Sequence, residues 1–150
     1  MKIKILLLAL TVSLLSACST TKEPTMVASK SICSTEQCPV VAIKQSENKN
    51  YSIFFDVEND DSEIEQVDLV LNGQQNVYKL SDENVENSNT GKSTYLVLNV
   101  KKGLVDSLVS SSNSSVMVKT KNGTFTGVIR NGQQESELYK AAKDFKSNLN

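Results

Sequence analysis

The chain has 150 residues, a formal net charge of −1, 39% hydrophobic and 22% charged residues, and neither histidine nor tryptophan. That length builds one domain around one modest core, and the near-neutral charge argues against a general nucleic-acid binder, whose affinity rests on clustered cations. Without histidine, the Ser-His-Asp and Cys-His arrangements and every histidine-containing metal site are excluded.

Lys2 and Lys4 supply a basic start, and Ile5 to Leu15 an apolar stretch too short to span a bilayer. Leu15-Ser16-Ala17-Cys18 closes that stretch with small residues before a cysteine. This resembles the lipobox of bacterial lipoprotein precursors, with its aliphatic, small, small, Cys pattern, and the resemblance covers about the first 18 positions. It implies a diacylglyceryl group on the Cys18 sulfur, cleavage before Cys18 and acylation of the new amine. Ser19 stands where an Asp would, in many Gram-negative bacteria, retain the protein at the inner membrane, which implies delivery to the outer membrane. Residues 1–17 are then a signal peptide. They hold two of the 16 basic residues and none of the 17 acidic ones, so the mature chain would carry a charge of −3. Two or three acyl chains anchor a protein stably, and no transmembrane helix is needed.

Residues 18–38 read as a lipidated tether. Ser19 to Ser31 is polar, contains Pro24 and keeps no period, the pattern of a flexible linker. Cys33 and Cys38, in an oxidising compartment, predict a disulfide whose six-residue ring stabilises by about 2 kcal/mol. Zinc is disfavoured because two thiols without histidine leave its coordination half filled, and a redox pair because four residues rather than two separate the cysteines.

Residues 39–150 form the single globular domain. Val40 to Ile43 is a strand, and Tyr51, Ile53, Phe55 and Val57 share one face of the next. Two Asn-Gly pairs flanked by alternating residues predict tight hairpins. The first joins Glu65–Leu71 to Gln74–Leu80 through Asn72-Gly73. The second joins Val116–Lys121 to Thr124–Arg130 through Asn122-Gly123, a register that sets Lys121 opposite Thr124, Val118 opposite Gly127 and Val116 opposite Ile129. On that register Lys119, Lys121 and Arg130 project from the outer face.

Ser81 to Ser93 reads as a polar, acidic loop and Thr94 to Val100 as a strand. Leu104, Val105, Leu108 and Val109 then line one stripe of a short helix that the serines from Ser110 end. Leu138, Ala141, Ala142, Phe145 and Leu149 share a face of a C-terminal helix, with Glu135 near its start and Lys146 near its end to suit the dipole. Asn-Gly-Gln-Gln recurs at 72–75 and 131–134, with a strand expected after the first and a helix after the second, so it is not a repeat unit. The sum is an α+β domain: an antiparallel sheet of about six or seven short strands, sandwich-like or covered by helices, with a short helix and a C-terminal helix.

Candidate chemistry is sparse. Gly91-Lys92-Ser93 has the ending of a phosphate-binding loop, but the glycine that motif requires is Glu86. Ser46-Glu47-Asn48-Lys49 has Ser/Lys nucleophile spacing, in a solvated turn. The run from Asp56 to Glu63 lacks the EF-hand register and reads as a solvated loop. No catalytic, metal or cofactor residues are assigned. The leading expectation is an outer-membrane lipoprotein acting as a binding or assembly module of the envelope, with no nucleic-acid partner. Behind it stand an envelope structural protein and a His-independent hydrolase. The membrane is engaged through lipid on Cys18. The basic stripe of Lys119, Lys121 and Arg130 is the candidate site for an envelope protein, a surface glycan or lipopolysaccharide phosphate, its alternative role being to keep a sheet soluble and unpaired.

Overall fold

The computed structural model describes residues 24–46, 50–89 and 94–149. In chain order it runs β1 (Ser29–Lys30), β2 (Pro39–Gln45), β3 (Asn50–Val57), β4 (Ile64–Leu71), β5 (Gln74–Lys79), β6 (Val85–Asn89), β7 (Thr94–Lys101), α1 (Lys102–Ser110), β8 (Asn113–Thr120), β9 (Gly123–Asn131), β10 (Gln134–Glu135) and α2 (Glu137–Ser147). The strands form two five-stranded sheets, ordered β1-β2-β3-β7-β6 and β10-β9-β8-β4-β5, and every neighbour is antiparallel. The fold is α+β and sandwich-like. It carries ten strands among the described residues rather than six or seven, because the two-residue β1 and β10 form beside β2 and β9 and β6 forms within the expected 81–93 loop. Val85 is the one apolar residue of that strand, so its sequence shows no alternation, and pairing with β7 from Val85↔Leu98 to Asn89↔Thr94 is what extends it.

The sandwich arises from period-two burial. Val41, Ile43, Ile53, Phe55, Leu96 and Leu98 of the first sheet are at most 3% exposed, as are Val67, Leu69, Val116, Val118 and Ile129 of the second. The alternate residues face the other way and are mixed: polar at Ser52, Asp56, Gln66 and Lys119, apolar at Val40, Ala42, Phe54 and Val97. Burying a side chain of this size is worth roughly 1.5–3 kcal/mol each.

The two hairpins close differently. At the first, Leu71 pairs with Gln74, and Asn72 and Gly73 both take positive φ, 50° and 83°. That is the expected Asn-Gly turn, with a twist matching its strands. At the second, Thr120 pairs with Gly123, so the loop is Lys121-Asn122 and not Asn122-Gly123. Val118 therefore faces Phe125, and Val116 faces Gly127. A shift of two positions keeps the side chains as far as Val128 on their expected faces and changes every partner. The cause is tertiary: Asp60 accepts a hydrogen bond from the Asn122 side-chain amide at 2.9 Å. Further along, Ser115 pairs with Val128 and Ser114 with Arg130, leaving Ile129 as a bulge that redirects the end of β9.

Residues 25–38, read from the sequence as tether, belong to the fold. Thr25 bridges Lys44, the Met26 amide donates to the Ile43 carbonyl at 2.8 Å, and Met26 is 4% exposed. The chain runs beside β2 as β1, then crosses to the other sheet, where Ile32 and Val128 exchange backbone bonds of 2.7 and 2.8 Å. The Cys33–Cys38 disulfide closes the next turn, with Cα atoms 5.7 Å apart. This crossing needs Gly127, since a Cβ there would overlap Ser31 and meet the Cys33 sulfur at 3.1 Å. One short segment thus bolts the two sheets together.

The helices lie antiparallel to each other. Asp106 of α1 meets Lys146 of α2, and three residues later the Val109 carbonyl accepts from the Tyr139 hydroxyl at 3.0 Å. Ser136 caps α2 by accepting from the Tyr139 amide at 3.0 Å, worth about 1 kcal/mol. Glu135 is not in the helix. It sits in β10, and Glu137 takes its place in the first turn. Leu138, Tyr139, Ala142 and Phe145 are buried, and Phe145 meets Tyr51 of β3 edge to face, ring centroids 6.2 Å apart.

Candidate functional site

The residues of the expected basic stripe are dispersed. Lys119 and Lys121 do point outward from the β8–β9 hairpin, as the period of the strand requires, but each stands beside a carboxylate. Lys119 Nζ lies 3.8 Å from Glu65 Oε2 and Lys121 Nζ 2.8 Å from Glu63 Oε2. Hydrogen bonding and charge from Lys121 hold the Glu63 carboxyl below its ordinary range and in turn raise the lysine. Both pairs are solvent-exposed, where such contacts contribute little to stability. Arg130 leaves the stripe altogether. Beyond the Ile129 bulge its guanidinium lies over the Tyr139 ring, 4.6 Å from the centroid, donates to the Ser111 carbonyl at 3.3 Å and approaches Glu135 at 3.6 Å. It serves as a cation–π bracket between β9 and α2. The face is thus a ladder of alternating charge with two lysines.

Asp60 is the buried polar node that sequence reading missed. It is 8% exposed and accepts from Thr120 Oγ at 2.9 Å, Asn122 Nδ2 at 2.9 Å and the Ser62 amide at 2.9 Å. Burial pushes its carboxyl up, but the bonds from Ser62, Thr120 and Asn122 more than offset this and hold it below the ordinary 3.8. Nothing in the acidic run distinguishes Asp60 from Asp61. What brings it inward is the turn at Asn59, whose φ of 59° is one that asparagine tolerates, together with the Asp60 amide bonding back to the Val57 carbonyl at 3.1 Å. The neighbouring Asp56 carboxyl is instead pushed up by burial.

A shallow concavity lies over this loop, lined by Val40, Asp56, Glu58, Asn59, Asp60 and Asp61. Among the described residues, no three histidine, cysteine or carboxylate side chains gather to hold a metal ion, and no helix is long and apolar enough to cross a membrane. A second internal carboxylate, Asp68 at 4% exposed, is enclosed on the outer face of β4 by the amides of Gln66 and Gln75, at 2.7 and 2.8 Å. Compared with protein-family models, with curated proteins and with solved structures, the chain matches none.

Cys18, the expected lipidation site, lies outside the described residues, as do Gly91-Lys92-Ser93 and Glu47-Asn48-Lys49. Ser46 is described. Its amide donates to the Asn50 carbonyl at 2.8 Å and its hydroxyl meets that of Ser52 at 3.0 Å, so it closes the β2–β3 connection.

Proposed function

We infer that this chain is a lipid-anchored protein of the cell envelope, held on the periplasmic face of the outer membrane, whose domain works by binding an envelope protein or a surface glycan or lipid. The observation that carries the reading is the placement of Leu15-Ser16-Ala17-Cys18 relative to the fold. Backbone pairing with β2 begins at Thr25 and Met26, so six steps of chain separate Cys18 from Pro24. That is room for an anchor and for no further folded unit. The disulfide between Cys33 and Cys38 supports an oxidising compartment. A rigid sandwich with both sheets bolted at one side suits a binding module, because rigid elements present a surface at low entropic cost.

Cys18→Ala tests the anchor. The variant is expected to accumulate as an uncleaved precursor and to leave the detergent phase that the wild type enters. Processing to the same size with unchanged partition overturns the reading. Crosslinking in intact cells, read by mass spectrometry, then identifies the partner. Reversal of Lys119 and Lys121 to glutamate asks whether the hairpin face contacts it.

A further inference from the structure

Charge is segregated along the strand axis. β3 runs from Tyr51, packed on Phe145 of α2, to Val57, which opens into the acidic loop. The helices and that loop therefore sit at opposite ends of a strand about 25 Å long. Among the described residues six lysines gather at the helical end: Lys44 next to last in β2, Lys101 last in β7, Lys102 opening α1, and Lys140, Lys143 and Lys146 on α2. Among the described residues four carboxylates oppose them. Asp106 is shared by Lys102 and Lys146 at 3.4 and 3.1 Å, Glu137 lies 2.9 Å from Lys140, Asp144 is exposed on α2, and Glu135, paired with Arg130 at 3.6 Å just before α2, also acts on Lys140. Lys44, Lys101 and Lys143 make no ion pair among the described residues. Glu86, bonded to Asn99, and exposed Glu83, beside the Asn84 that also bonds Asn99, are carboxylates on the flank. The far end is the reverse, with six carboxylates between Asp56 and Glu65 facing Lys30, Lys119 and Lys121.

The chain joins the fold at the lysine end, since Thr25 bridges Lys44. Beside that junction Val27 is 79% exposed, next to the last turn of α2. Six residues fully extended reach at most about 20 Å, so a lipid on Cys18 would hold this end within a few Debye lengths of the bilayer, each about 8 Å at physiological salt.

We propose that the lysine-bearing helical end, with Val27 beside it, is a docking surface for a bilayer containing anionic phospholipid headgroups, and that it stands the domain upright with its acidic loop turned away from the membrane. The proposal rests on the lipid-anchor reading and adds orientation to it. Each lysine brought to an anionic surface is worth about a fivefold change in the docked population, and an exposed valine at the same end can enter the headgroup layer.

The test uses the full-length lipidated protein in vesicles of phosphatidylcholine alone and of phosphatidylcholine mixed with phosphatidylglycerol. The rate at which a membrane-impermeant amine reagent acylates each lysine is read by mass spectrometry. Lys101, Lys140 and Lys143 are expected to react about fivefold more slowly on the mixed vesicles, while Lys119 and Lys121 react equally on both and high salt removes the difference. Equal rates at the helical end on both vesicles, or protection of Lys119 and Lys121 instead, overturn the proposal while leaving the anchor intact. Protein that floats with neither vesicle sinks the anchor reading, and the docking surface with it. Joint Lys140→Glu and Lys143→Glu substitution is expected to abolish protection of Lys101 without changing flotation or melting temperature. Persistent protection in that variant also overturns the proposal.

Discussion

Asp60 concentrates the polar energetics of the molecule in one side chain. Thr120 and Asn122 both donate to it, so Asp60→Ala leaves a buried hydroxyl and an amide unpartnered and should cost on the order of 2–3 kcal/mol, measured by chemical denaturation at neutral pH. Its pH dependence is set by the direction of its shift. The carboxyl is held below 3.8 in the folded state, so its stabilising contribution is complete above that value and is lost as pH falls through the lower folded value. Asp60→Asn should therefore flatten the acid limb of the stability curve below about pH 4. An acid limb of unchanged slope would assign the loss to other carboxylates. Asp106 is the principal competitor, because hydrogen bonding from Lys146, partly opposed by burial and reinforced by Lys102, also holds it low. None of this was legible locally. Asp60 and Asp61 are adjacent and chemically identical, and only the fold buries the first.

At the scale of elements, α2 is the piece whose amphipathic stripe was most readable and whose contacts now explain it. Phe145 is 4% exposed and packs on Tyr51, so Phe145→Ala should cost about 3 kcal/mol and lower the melting temperature by roughly 10 °C. A melting temperature unchanged within error would mean that the helix does not contribute to the core. The two Asn-Gly hairpins carry the complementary lesson. Asn72-Gly73 closes as its dipeptide directs, whereas at Asn122-Gly123 the asparagine is drawn to Asp60 and the turn moves back by two residues in register. A dipeptide preference of order 1 kcal/mol yields to a half-buried hydrogen bond of similar size combined with strand pairing.

At the scale of the whole molecule, the crossing segment 25–38 decides how the two sheets are held. It pairs with β2 through Ser29 and Lys30 and with β9 through Ile32, and the Cys33–Cys38 bridge closes its turn. Replacing both cysteines by serine should cost about 2 kcal/mol. The same change should open Lys30, now paired with Glu58 at 2.6 Å, to tryptic cleavage in the otherwise folded protein. Resistance at Lys30 equal to wild type would show that backbone pairing alone secures the segment.

Strand faces, the first hairpin, both helices, the disulfide and the α+β class were decided by sequence alone, because each rests on a period or a spacing within a few residues. Alternating apolar residues choose their face whatever lies opposite, and two cysteines five positions apart need only a local turn to meet. What the tertiary structure decided involves partners distant along the chain. It built β6 against β7, moved the second turn, removed Arg130 from its stripe at a bulge and set it on Tyr139, and laid residues 25–38 across both sheets. Each of these exchanges a local preference for pairing or burial with a residue far away in sequence, and no local pattern encodes which partner will be there.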